Sequence, residues 1–81
     1  MEVRIRLGSA IARLAPAPSM SLELPDGATV ADVYERLADG HPELAPALRS
    51  ALPLVAGVHV ERDRELAHGD EVALLTPVAG G

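Results

Sequence analysis

Most residues that could do chemistry in this chain are too scattered to do it together. His41, His59 and His68 stand apart, with neither i, i+4 nor short-loop spacing to another ligand, so no metal centre is expected. Ser9, Ser19, Ser21 and Ser50 lack the strained turn that would expose a nucleophile. The glycines are dispersed rather than gathered into a phosphate-cradling loop. Asp26, Asp32 and Glu35, like Asp70 with Glu71, fit turns and a helix face better than a catalytic pair. Cysteine is absent, which removes thiolate nucleophiles, zinc–thiolate sites and iron–sulfur ligation. One stretch is left, Pro77-Val78-Ala79-Gly80-Gly81.

The chemistry open to that stretch is activation of a carboxylate. With Gly81 as the free end, its carboxylate is a poor electrophile until an adenylating partner with ATP converts it to an acyl-adenylate. An attacking nucleophile then meets no Cβ at Gly81 or Gly80, and glycine enters narrow channels at dihedrals other residues refuse. Residues 78–81 extend about 13 Å at roughly 3.3 Å each, enough to reach a buried pocket while the body docks outside. Pro77 and β-branched Val78 limit the entropy lost on entry. The sequence thus favours a reactive tail, Pro77, Val78, Ala79, Gly80 and Gly81, on a body with no active site of its own.

Composition narrows the partners. The 81 residues carry a net charge of −5, 48% hydrophobic and 23% charged residues, a single tyrosine and no phenylalanine or tryptophan. The acidic balance and missing aromatic platforms argue against nucleic acid and favour a partner with a basic surface. All seven basic residues are arginine, so no side-chain amine is on offer as an acyl acceptor. No basic-then-apolar leader opens the sequence, and no apolar run approaches the roughly eighteen residues of a membrane span. The expectation is one cytoplasmic domain, residues 1–81, with a flexible tail at about 77–81.

The elements that must hold the tail follow from periodicity. Val3, Ile5 and Leu7 alternate with charged residues, and Met20, Leu22 and Leu24 alternate with polar ones, which predicts two strands, antiparallel to each other. Ile11 and Leu14 are expected to pin the proline-rich loop between them to the core. Thr29 reads as an N-cap with Asp32 three residues on. Val30, Val33, Tyr34 and Leu37 make one helical stripe, and Gly40 suits a left-handed cap. Residues 43–50 read as a short second helix. Residues 54–60 are strand-like, with Gly57 at a break, and Glu65-Leu66 is an edge stub. Glu71 to Thr76 is an apolar strand fit for the centre of a sheet. The order is α+β: a mixed sheet of four to five strands, one main helix and the first and last strands paired, which is a β-grasp.

The opening V-R-I-R-L-G, the helix start T-V-A-D-V and the closing H-G-D-E-V-A-L-L-T-P-V-A-G-G resemble the MoaD/ThiS group of ubiquitin-like sulfur carriers, most of all its MoaD branch, the small subunits of molybdopterin synthase. The resemblance implies a β-grasp fold and a co-substrate role rather than a catalytic one. Gly81 would be adenylated by an E1-like, MoeB-type enzyme using ATP, and a sulfur donor system would convert it to a thiocarboxylate. The tail would then insert into a MoaE-like large subunit to serve molybdenum cofactor synthesis. No bound cofactor is implied. Leu7 and Leu75 match apolar family positions that contact partners, where many relatives carry Phe. V-A-G-V-H-V lacks the V-N-G turn common in relatives. A ThiS-like destination in thiamine or cysteine synthesis, a protein modifier and a plain interaction domain remain alternatives.

Overall fold

The computed structural model describes residues 1–77. Strand β1 (Glu2–Leu7) leads through a single helical turn, α1 (Ser9–Ala12), to β2 (Ser19–Glu23). The main helix α2 (Val30–Gly40) follows, then a 3-10 turn at Pro42–Leu44 and the short helix α3 (Ala45–Leu48). Strands β3 (Leu52–Val55), β4 (Val58–His59) and β5 (Glu71–Leu75) complete a five-stranded sheet in the order β2-β1-β5-β3-β4. β1 and β5 lie parallel at its centre, and the other pairings are antiparallel. The expected β-grasp is the fold found. Among the described residues no helix is long and apolar enough to cross a membrane.

One face of the sheet is covered by the helices and the other is open. Period-two alternation sends Val3, Ile5 and Leu7 of β1, with Val72 and Leu74 of β5, into the core against Val30, Val33 and Leu37 of α2. The helix starts where the sequence asks it to. The Thr29 backbone N–H donates to Asp32 Oδ2 at 2.7 Å, the reciprocal half of a capping box. The loop after β4 adds to this cap, because Arg64 O accepts from Val30 N–H and Arg62 O from Ala31 N–H.

Two expectations are corrected. Gly40 is helical, and the helix closes instead at His41, whose N–H donates to Leu37 O at 2.8 Å and whose φ is −138°; Pro42 pushes the residue before it out of the helical region. Leu14 does not pin its loop: it is 48% exposed, and the fully buried Ile11 of α1 does that alone. The break expected at Gly57 is there, and it is a hairpin turn: Ala56 and Gly57 both take positive φ (53° and 78°) and turn β3 into its antiparallel partner β4. Glu65 forms only an isolated bridge to Thr29.

That hairpin turn contains a mismatch of residue and conformation. A two-residue turn with both residues at positive φ favours Asn-Gly, and an L-residue with a Cβ resists the left-handed region by about 1–2 kcal/mol. Ala56→Asn is therefore expected to raise stability by about 0.5–1 kcal/mol, read as a higher denaturation midpoint with an unchanged m-value.

Tyr34 ties α2 to the segment entering β3. Its hydroxyl donates to Ala51 O at 2.8 Å in a buried setting, and the Arg62 guanidinium lies 3.8 Å above the ring centroid. Burial raises the Tyr34 pKa above the ordinary 10.0, with Arg62 pulling the other way. A raised folded value means that the stability given by the neutral phenol is whole below the unfolded value near 10.0 and is lost as pH climbs through the folded one. Tyr34→Phe orphans a buried carbonyl, an expected loss of about 1–3 kcal/mol at neutral pH. Its stability should also fall less steeply than wild type above pH 10 in thermal melts, because no phenol remains to ionise.

Candidate functional site: the open sheet face and the root of the tail

The sheet's open face carries the exposed apolar side chains nearest the tail. In the β3–β5 pairing Leu52 sits opposite Leu75 and Leu54 opposite Ala73, and all four project away from the core. Leu52 and Leu75 are 43% and 41% exposed. Beside this strip, in the parallel β1–β5 pairing, Arg6 lies level with Ala73 and Arg4 with Glu71. The Arg6 Nη1–Glu71 Oε1 distance is 4.0 Å with both side chains largely solvated, so this pair contributes little stability. Leu54, Ala73 and Leu75 line a shallow concavity that Arg6 and Glu71 border. An apolar floor with a charged rim is the anatomy of a protein-docking surface.

The tail leaves from the edge of this surface. Leu75 ends β5, and Thr76 and exposed Pro77 follow. Val78, Ala79, Gly80 and Gly81 lie outside the described residues.

The two expected contact residues part company. Leu75 lies on the open face of the sheet. Leu7 is a core residue, 5% exposed, because it sits level with Leu74 and points to the helix side of the sheet. Leu52 and Leu54 belong to the apolar strip and were not singled out from the sequence. The alternation of L-P-L-V, which sends Leu52 and Leu54 one way and Pro53 and Val55 the other, was the available signal.

The remaining candidates stay apart. His41 Nδ1 is 3.7 Å from Glu43 Oε2 at the surface, and His68 Nδ1 accepts the Glu2 backbone N–H at 3.0 Å. Among the described residues no group of three or more His, Cys, Asp or Glu side chains is placed to hold a metal ion.

A central parallel pair joining the first and last strands, one crossing helix and an open sheet face beside the outgoing chain define a ubiquitin-like protein. Residues 9–81 match the ThiS family. The chain belongs to that family. It is 28% identical, over the full length of both chains, to the molybdopterin synthase sulfur carrier subunit of Chlamydomonas reinhardtii. The crystal structure of SAMP1 from Haloferax volcanii superposes with a TM-score of 0.90 at 26% identity, covering all of both chains. The solution structure of the small archaeal modifier protein 1 from Methanosarcina acetivorans gives 0.84 at 26% identity, covering 99% of this chain and 96% of that one.

Proposed function

We propose that this protein is a sulfur carrier of the molybdopterin synthase type, its reacting group being the Gly81 carboxylate. The observation that carries the reading is a ThiS-family β-grasp whose last strand runs from the sheet centre, past an apolar docking strip, into a Pro77–Gly81 sequence ending in two glycines. The full-length likeness to a molybdopterin synthase sulfur carrier subunit supports that destination.

In this reading a carboxylate oxygen of Gly81 attacks the α-phosphorus of ATP on an E1-like, MoeB-type enzyme, and pyrophosphate leaves. Sulfide-level sulfur from a donor system attacks the acyl carbon and AMP leaves, giving the thiocarboxylate. A MoaE-like large subunit then takes up the tail, and its side chains carry out the transfer. This chain contributes position: the apolar strip docks, and the missing Cβ atoms of Gly80 and Gly81 let an attacking atom approach the carbonyl. Incubation with the adenylating enzyme, ATP and a sulfur donor should add the mass of one oxygen-to-sulfur exchange to the intact protein. An unchanged mass with an enzyme active on its own carrier rejects the proposal.

The docking strip has its own test. Leu75→Glu puts a charge on the open face at a position 41% exposed, so folding should hold while affinity for the large subunit falls at least tenfold, read by calorimetry. A large drop in thermal stability would instead assign Leu75 to the core.

A second reading is favoured by the superposition on two archaeal modifier proteins. The same acyl-adenylate can be captured by a lysine amine on another protein, giving an isopeptide bond. Because the chain has no lysine, a modifier of this sequence would attach as single copies rather than as chains branched through its own side chains. Because Arg64 is the last basic residue, tryptic peptides of other proteins carrying residues 65–81 of this chain on a lysine would favour it.

A further inference from the structure

We propose that Gly8 is a positioning residue for the docking face: the Cβ it lacks leaves the space in which the Leu75 side chain lies. The inference rests on the open face being the partner surface.

A Cβ built at Gly8 would lie 2.9 Å from Leu75 Cδ2 and 3.3 Å from Leu74 O. The first distance is closer than real Cβ contacts allow, so Leu75 must move. The backbone at Gly8 does not call for glycine, since φ −63° and ψ 159° are ordinary extended values. What calls for glycine is the neighbour. The Gly8 N–H donates to Leu74 O at 2.9 Å, while Gly8 O accepts from Ile11 N–H and Ala12 N–H at 3.0 and 2.8 Å. Gly8 is thus tied to the end of β5 through its N–H and to α1 through its carbonyl, which resists relieving the strain of a new Cβ by moving Gly8 away. The yielding partner is the free end of the Leu75 side chain.

Gly8 thereby sets which way Leu75 points at the place where the tail leaves the sheet. A methyl there would turn Leu75 out of its place beside Leu52, shrinking the apolar strip, while the 3.3 Å approach to Leu74 O asks only a few tenths of an ångström of the backbone and leaves the buried Leu7 and Leu74 side chains in the core.

The test has a partner-free arm and a binding arm. With selectively 13C-labelled leucine methyls, Gly8→Ala should shift the Leu75 methyl resonances and change their rotamer-sensitive splitting, leaving those of Leu37 and Leu44 in place. Unmoved Leu75 methyls would overturn the proposal with no partner involved. In the binding arm, Gly8→Ala should weaken association with the large subunit by about fivefold while the melting temperature shifts little. In a Leu75→Ala background, which removes the clashing atoms, the same change should have no further effect. An additive result in that cycle, or unaltered affinity of Gly8→Ala, sinks the positioning role. Failure of wild type itself to bind would remove the docking reading instead, leaving the methyl shifts to decide the Gly8–Leu75 coupling.

Discussion

Removal of Gly80 and Gly81 is expected to abolish sulfur transfer while leaving the thermal transition of the protein where it is. The two parts of this outcome have separate causes. Transfer is lost completely because, in the proposed chemistry, the truncated chain ends on Ala79. Its carboxylate is two residues short of the reacting position, roughly 7 Å at about 3.3–3.6 Å per residue, and the remaining end carries a Cβ beside the acyl carbon. Such a shift is far beyond what a catalytic geometry absorbs, since even about 1 Å of misplacement costs about a hundredfold. Stability is retained because the buried side chains among the described residues end at Leu74. The measurement is a complementation assay run beside a thermal melt. A truncated chain that still supports sulfur transfer would refute the carrier proposal outright, whereas loss of both activity and folding would give the last residues a structural part.

Leu74→Ala carries the second large effect, and it falls on stability rather than on binding. Leu74 is fully buried at the centre of the sheet, level with Leu7 on one side and Pro53 on the other. Truncating such a side chain removes its transfer free energy and leaves a cavity, together about 2–5 kcal/mol. Small domains are stable by only about 5–15 kcal/mol, so the variant sits near the edge of folding. The denaturation midpoint should fall steeply with little change in slope. Leu75→Ala, one residue on and facing the other way, should cost far less stability while still weakening partner binding. A mild effect at Leu74, below about 1 kcal/mol, would contradict its burial.

Adjacent leucines with opposite duties show where sequence reading succeeds and where it stops. Period-two and period-3.6 patterns are local, so the β1 alternation, the Val30–Leu37 stripe and the Thr29–Asp32 cap were legible before any coordinates. The pairing of the chain's ends followed because the two most regular apolar strands compete for the centre of a sheet. Leu7 went astray for a reason of facing. Periodicity says that Val3, Ile5 and Leu7 share one side, and likeness to family contact residues does not say that this side is the covered one. The L-P-L-V alternation puts Leu52 and Leu54 on one side of β3 without saying which side is open, and the register with Leu75 and Ala73 is what joins them into the strip. Gly8 was likewise unreadable, since its need for glycine comes from a residue far along the chain and not from its own backbone angles. The reading of the tail rests on chemical logic rather than on placement, and Val78 to Gly81 lie outside the described residues.

The parallel pairing of β1 with β5 has a consequence in time. Register contacts such as Ile5 with Val72 close a loop of most of the chain, and such long-range contacts form late and slowly. During synthesis the ribosome releases β5 last, so the sheet waits with an empty central lane until the strand bearing the tail arrives. The step that completes the body is then the step that assembles the open face beside Thr76 and Pro77. Under the proposed function, an unfinished chain would show an activating enzyme no assembled surface, and maturation of the fold would act as a licence for the chemistry.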